Sequence, residues 1–372
     1  MDEALTDREL TDRERAHMER ALVLARRGWG RVHPNPMVGC VIVREGRVVG
    51  EGWHREWGGP HAEVTALADA GAAARGATAF VSLEPCRHTG KTGACTHALM
   101  EAGVARVVFG AADPGEASGG GARVLREAGV EVTGPVLSSG EARRENPPFF
   151  HTDETRPWTA LKLALSLDGG IAAAPGQRTS VSGPEVDRRV QELRAGFDAI
   201  MVGARTARVD DPRLTVRGPI TPRVPPRRVV VDGRGTLGPG ARLLAEEGGA
   251  VQFVTTAAAE AGWKRKMEAA GAQVLTVEGA DGQVDLPGAL QALRSGGVGA
   301  LLCEGGGVLG SALLSEGLVD RLYLAVAPRF LGPDAVPAFP RVSGPGAEAD
   351  WEMAAEPERV GADLWLTLDR EG

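Results

Sequence analysis

One short constellation in this chain of 372 residues combines the residue types that metal-assisted hydrolysis needs. His61 and Glu63 stand in GGPHAEVTAL, Cys86 follows in LEPC, and Cys95 closes CRHTGKTGAC. One imidazole and two thiolates are donors that zinc favours, and three protein ligands leave a fourth tetrahedral position for water. A metal there lowers the water's pKa towards about 7, so that hydroxide is available at neutral pH. Glu63 lies two residues beyond His61, and at the mouth of a helix it would face the same cleft without binding the metal. Its carboxylate can then take a proton from water and hand it to a departing amine. His88 and His97 are nearby alternative donors, read as a loop residue and a helix-surface residue. Cys40, in VGCVIV, and Cys303, in ALLCEGG, read as buried strand residues.

These groups need strand–helix junctions to hold them. Thr11 and Glu14 have capping-box spacing, and the helix that follows sets Met18, Ala21, Leu22 and Ala25 on one face before Gly28 ends it. MVGCVIVREG and RVVGEGWH read as a hairpin turning at Glu45-Gly46. HAEVTALADAGAAARG is helical, ATAFVSLEPC is a strand running into a loop, and THALMEAGV is a helix with Cys95 at its start, where the N-terminus favours a thiolate. VARVVFGAADP is a further strand, and GARVLREAGVEVTGPV repeats helix then strand. The alternation predicts an α/β layer fold whose sheet is largely parallel beyond the hairpin.

The polar, proline-bearing stretch SSGEARRENPPFFHTDETRP reads as a break, which sets domains at residues 11–148 and 155–370. After it come a strand in WTALKLALSLDGGIA, a helix and strand in VDRRVQELRAGFDAIMVG, and strands in RRVVVDGRG, AVQFVTTA and AQVLTVEG. GALLCEGGGVLGSALLSEGLVDRLYLAVAP reads as strand, glycine turn, helix and strand, and LGPDAVPAFPRVSGPG as a surface loop. In CEGGGVLG the glycines permit close backbone approach, and the amides of the helix N-terminus can receive phosphate.

Length favours two domains. The 43% hydrophobic and 24% charged residues are ordinary for a soluble protein, with no apolar run long enough for a membrane span. The acidic start MDEALTDREL carries no export signal, so the cytoplasm is expected. A net charge of -7 and pI near 5.6 argue against a nucleic-acid partner. Four cysteines in such a chain point to metal binding or burial rather than disulfides.

The zinc constellation is similar to that of base deaminases, whose cysteines are separated by two residues. Here eight residues, 87–94, separate them. With that long spacing, HPNPMVGCVIV, GGPHAEVTAL, LEPCRHTGKTGAC and ADP resemble the pyrimidine deaminase domain of the bifunctional riboflavin-biosynthesis deaminase/reductase family. The resemblance implies a cytidine-deaminase-like three-layer α/β/α domain, with Asn35 contacting the substrate base. Thr65 stands where the family often has asparagine, and Arg87 and Lys91 occupy the cysteine loop.

NPPFF, LKLALSLDGGIA, LRAGFDAIMVGARTARVDDPRLTVR, VVVDG and LLCEGGGVLGSALL continue the resemblance into the family's reductase domain, which implies a dihydrofolate-reductase-like α/β fold. It carries substrate-binding roles onto Arg178, Arg194, Leu214, Arg217 and Glu304. Guanidinium groups suit a phosphorylated sugar because they grip phosphate bidentately. The nicotinamide-nucleotide site maps to Ala164, Ser180, Thr206, Asp210, Gly233, Gly306, Gly307, Val308, Leu309, Gly310, Ser311 and Ala312. Lys162 and Asp168 are structural or substrate-facing. The run Arg178 to Ser182 places Ser180 where an aromatic cofactor contact is usual, and Gln191 stands in place of a histidine. Losing one stacking residue should weaken cofactor binding by about 1 kcal/mol.

The expected enzyme uses Zn2+ to deaminate a small-molecule pyrimidine ribotide and NADPH to reduce its ribosyl group to ribityl, as a homo-oligomer. Two rivals remain at the level of sequence: a deaminase with a non-catalytic C-terminal module, and a nucleic-acid base deaminase with a basic groove.

Overall fold

A strand that is apolar on both sides must be covered on both sides, and VGCVIV meets that demand in the computed structural model. Residues 10–88, 93–245, 247–346 and 348–371 are described. The chain divides between His151 and Thr152 into two units.

In the first unit the strands are β1 (Gly39–Arg44), β2 (Arg47–Trp53), β3 (Thr78–Leu83), β4 (Arg106–Ala111) and β5 (Glu131–Thr133), in the order β2-β1-β3-β4-β5. β1 pairs antiparallel with β2 and β3, while β3, β4 and β5 are parallel. The helices are α1 (Asp12–Ala25), α2 (Ala62–Ala70), α3 (Cys95–Glu101), α4 (Gly121–Glu127) and α5 (Ser139–Glu145). Val41, Val43, Phe80 and Val108 pack on Met18, Ala21 and Leu24 of α1. From the other face Cys40, Ile42, Val81 and Val107 meet Ala62 and Ala66 of α2, Leu99 of α3 and Leu125 of α4. This is the expected three-layer α/β/α arrangement.

The turn at Glu45 and Gly46 has positive φ at both residues, 51° and 74°, as a two-residue hairpin requires. The Thr11–Glu14 capping box forms in full. Leu24, not Leu22, is the fully buried leucine of α1. The units divide within the presumed break, but its first part is helical: Ser138 and Glu141 form a capping box that starts α5. Asn146, at the C-cap of α5, then accepts from the Met37 amide at 2.8 Å and donates to its carbonyl at 2.9 Å. NPPFF therefore packs within the first unit. Finally, β2 presents Gly50 and Gly52 to α2; a Cβ on either would stand 2.4 Å from the carbonyl oxygen of Ala66 or Ala62, respectively. Only glycine lets helix and strand backbones approach so closely.

The second unit contains β6 (Trp158–Ser166), β7 (Gly170–Ala172), β8 (Ala199–Gly203), β9 (Arg227–Val231), β10 (Val251–Thr255), β11 (Gln273–Thr276), β12 (Gly279–Ala280) and β13 (Gln283–Val284). β14 (Ala300–Cys303), β15 (Arg321–Ala327), β16 (Val336–Pro337), β17 (Trp351–Met353), β18 (Glu358–Val360) and β19 (Asp363–Arg370) follow. Its helices are α6 (Pro184–Arg194), α7 (Ala204–Asp210), α8 (Arg242–Ala245), α9 (Ala261–Ala269), α10 (Leu286–Ser295) and α11 (Gly307–Ser315).

The main sheet runs β11-β10-β9-β8-β14-β6-β15-β19-β17, parallel from β11 to β15 and antiparallel at β19, which also pairs with β17 and β18. Leu161, Met201, Leu301 and Cys303 pack on Leu290, Leu293, Leu313 and Leu314 of α10 and α11. Ile200, Val202, Val230 and Phe253 meet Leu243 and Met267 of α8 and α9. The supposed surface loop after Leu331 is tied in: β16 pairs with β7, and Ala338 is 1% exposed and donates from its amide to Gly169. Among the described residues no helix is long and apolar enough to cross a membrane.

Candidate active sites

Three element ends converge on one point of the first unit. His61 is the N-cap of α2, Cys95 is the first residue of α3, and Cys86 lies three residues past β3. His61 Nδ1 stands 3.2 Å from Cys95 Sγ and 3.6 Å from Cys86 Sγ, and all three donor atoms lie within 4.8 Å of one another. Bonds of about 2.0–2.3 Å around a tetrahedral ion give donor separations of this size, so the trio fits zinc. The Cys95 amide donates to Cys86 Sγ at 3.4 Å. Hydrogen bonding from Cys95, then from His61, holds Cys86 down at about 4, and the same thiolate pushes Cys95 up. The His61 pKa is raised, chiefly through its hydrogen bond with Cys86.

Glu63, in the first turn of α2, is buried at 3% exposure, and burial raises its carboxyl above the usual range. It lines a cavity of about 230 Å³ together with His61, Cys86, Asn35 and His88. His97 is a helix-surface residue as read, exposed and 3.4 Å from Glu101. Lys91 lies outside the described residues. Thr65 donates its hydroxyl to the His61 carbonyl at 3.1 Å. Arg87 ties the cysteine loop to the carbonyls of Glu116 and Gly119.

Among the cavity residues that the sequence reading did not single out are His54, Glu84, Asp113 and Phe149. Glu84 accepts from the amides of Ala122 (2.9 Å) and Asp113 (3.3 Å), so it joins the end of β3 to the start of α4. His54 donates through Nδ1 to the Pro60 carbonyl at 3.1 Å. Its position just past β2, in GEGWH, was the available signal.

In the second unit Thr206, Glu304 and the stretch Gly306 to Ala312 follow the carboxyl ends of the adjacent parallel strands β8 and β14, where α/β folds bind ligands. Arg194, the last residue of α6, forms two hydrogen bonds with Glu304, just past β14, at 2.6 and 2.8 Å. Arg194 also donates to the Thr215 carbonyl at 2.9 Å. Burial raises the Glu304 carboxyl, but the charge and hydrogen bonds of Arg194 prevail and hold it below the usual range. Lys162 on β6 has its pKa lowered by burial, against the pull of Glu304.

The Gly306 amide donates to Thr206 Oγ1 at 3.0 Å, and Gly306 is the N-cap of α11. Gly307 lies under the carbonyls of Pro337 and Ala338, which would stand 2.6 and 2.8 Å from a Cβ placed there. Within α11, Val308 is exposed, Leu309 and Ala312 are half-buried, and Gly310 and Ser311 are buried. Gly233 is buried, with a Cβ position only 2.0 Å from the Gly282 carbonyl oxygen. Ala164 pairs across β6 with Ala325 of β15.

Other mapped residues do not join the Arg194–Glu304 cluster. Arg178, Ser180 and Arg217 are exposed. Asp210 feels the charge of Arg178, although burial raises its pKa overall. Leu214 is buried in the core with φ +52°. Gln191 accepts from the Arg217 amide at 2.8 Å, so the departure from histidine has a local partner. Asp168 is exposed and held at about 2 by Ser166 and by the amides of Gly332 and Leu331; it pins a loop.

Two family models match. Residues 11–111 match the cytidine and deoxycytidylate deaminase zinc-binding region, and residues 157–353 match the RibD C-terminal domain. The riboflavin biosynthesis protein RibD of Escherichia coli (strain K12) is 38% identical over 367 residues, covering 94% of this chain and 97% of that protein. The RibD of Aquifex aeolicus is 38% identical over 314 residues, covering 84% and 86%. Among solved structures, Acinetobacter baumannii RibD aligns with a TM-score of 0.79 at 33% identity, covering 97% of this chain and 99% of that one. A Thermotoga maritima diaminohydroxyphosphoribosylaminopyrimidine deaminase/5-amino-6-(5-phosphoribosylamino)uracil reductase aligns with a TM-score of 0.79 at 31% identity, covering 96% and 99%.

Proposed function

The chain belongs to the RibD family of bifunctional riboflavin biosynthesis enzymes, and we propose that its two units carry out in succession the two reactions named for the Thermotoga maritima relative. It is a zinc-dependent deaminase and an NADPH-dependent reductase. The substrate of the first unit is the diaminopyrimidinone ribotide, whose 2-amino group leaves as ammonia, and the second unit reduces the ribosyl group of the product to ribityl. The observation that carries this reading is the His61, Cys86 and Cys95 trio with buried Glu63 beside it on α2.

Zinc, held by those three side chains, supplies a Lewis acid that makes water a nucleophile at neutral pH. Glu63 does the proton work. A carboxyl whose pKa burial has raised can both accept a proton from water and deliver it to the departing amine. Asn35 orients the base in the cavity. In the second unit Arg194 keeps Glu304 ionised and oriented towards the sugar, and the amides at the start of α11 meet the anionic part of the cofactor. NADPH carries the hydride chemistry, which leaves the protein to position the reactants. A homo-oligomer in the cytoplasm completes the proposal.

The test incubates the purified zinc-loaded protein with the ribotide, with and without NADPH. Ammonia should appear in both cases, and nicotinamide absorbance should fall only after deamination. Glu63→Ala should stop ammonia release while zinc stays bound; release at the wild-type rate would remove Glu63 from the mechanism. Deamination without NADPH consumption would make the second unit a binding module.

A further inference from the structure

The cavity beside the metal site contains another histidine, His54, that no step above uses. His54 is 2% exposed, and its ring lies edge-on to that of His61 with centroids 5.3 Å apart. Its two nitrogens have different partners. Nδ1 lies 3.1 Å from the Pro60 carbonyl oxygen, and Nε2 lies 3.3 Å from Nδ2 of Asn35. A carbonyl oxygen can only accept, so Nδ1 carries the hydrogen. An amide nitrogen can only donate, so Nε2 is the bare nitrogen and receives an N–H from Asn35. One neutral tautomer satisfies both contacts, and the backbone at Pro60 selects it.

This chain of bonds decides which way round the Asn35 amide sits. With one Nδ2 hydrogen committed to His54 the amide cannot flip, and it presents to the cavity Oδ1, an acceptor that no hydrogen bond among the described residues engages. We infer that His54 is a positioning residue for the deaminase: through the Pro60–His54–Asn35 relay it fixes Asn35 as a hydrogen-bond acceptor, so the site selects a base that presents an N–H donor there. A base with a carbonyl at that position would set lone pair against lone pair. The inference rests on the deaminase reading and deepens it, since the aminopyrimidinone edge is rich in N–H donors.

Two measurements test it, the first independent of activity. In 15N NMR of histidine-labelled protein, with the His54 signals assigned by difference against His54→Gln, Nδ1 should show the protonated-type shift and Nε2 the bare-nitrogen shift. The opposite pattern would overturn the relay whatever the enzyme does. The second is steady-state ammonia release by zinc-loaded protein. His54→Phe keeps a ring but removes the acceptor, freeing the Asn35 amide; KM for the ribotide should rise about tenfold, the worth of one hydrogen bond, with kcat changed by less than about threefold. His54→Gln restores an acceptor at the outer position and should bring KM back to within about threefold of wild type. An unchanged KM in His54→Phe, or equal damage in both variants at full zinc content, would overturn the inference. Failure of the wild-type protein to release ammonia would instead sink the deaminase reading and leave the NMR result standing.

Discussion

Replacing Arg194 by methionine removes the cation from a carboxylate with little water around it. The Arg194 and Glu304 side chains are 10% and 13% exposed, and their fork-to-fork contact uses both carboxylate oxygens. Breaking such a pair from one side costs about 3–5 kcal/mol, because the remaining charge stays buried. For a unit of this size each kcal/mol moves Tm by about 2–4 °C, so Arg194→Met should lower the second unit's transition by roughly 6–20 °C. Scanning calorimetry of the full chain should show that shift while the first unit's transition stays in place. The double variant Arg194→Met/Glu304→Gln removes both charges and should recover more than half of the loss.

The acid side gives an independent check with a definite sign. The folded Glu304 pKa lies below its ordinary 4.5, so the pair's stabilisation is fully present above that value and is lost as pH falls through the folded pKa. In Arg194→Met burial raises the carboxyl against the pull of Lys162 alone, so the penalty should shrink on acidification. A shift below about 2 °C for the single variant, or a double variant as unstable as the sum of its singles, would refute the argument.

Three further outcomes are expected. Asn146→Ala deletes both hydrogen bonds to Met37, two residues from Asn35, and should cost the first unit about 2–3 kcal/mol in urea titration and raise KM for the ribotide. Stripping zinc with a chelator should abolish ammonia release yet leave NADPH oxidation intact when the deaminated intermediate is supplied. Gly307→Ala forces a methyl against the carbonyls of Pro337 and Ala338, and should raise KM for NADPH about tenfold without altering ammonia release.

The parts of the molecule that could be read in advance depend on local chemistry. The metal trio and Glu63 declare themselves because imidazole, thiol and carboxylate at strand–helix junctions have few other uses. The capping box at Thr11 and the Glu45-Gly46 turn each depend on adjacent residues. The C-terminal strand β19 was not read, although DLWLTLDR alternates in period two. α10 went unread too, although Leu286, Ala289, Leu290 and Leu293 keep helical spacing. Pro287 and Gly288 near its start resemble a loop, yet a proline in the first turn gives up only an amide that has no helical partner. α5 hides because it buries Ala142 alone and depends on its cap. The His54–Asn35 contact joins residues 19 positions apart, and His54 must also meet Pro60, a coincidence that only the folded chain shows.

The glycines of β2 give the metal site an unusual mechanical dependence. His61 and Glu63 are fixed to the first turn of α2, and Gly52 is the floor on which that turn rests, a Cβ there falling 2.4 Å from the Ala62 carbonyl oxygen where ordinary contact begins at 3.4 Å. A single methyl at Gly52 is therefore a shim about 1 Å thick, set under the end of the helix that carries the chemistry. A displacement of that size is enough to cost about a hundredfold in rate. The calibration of the active site is thus held by an atom that is not there.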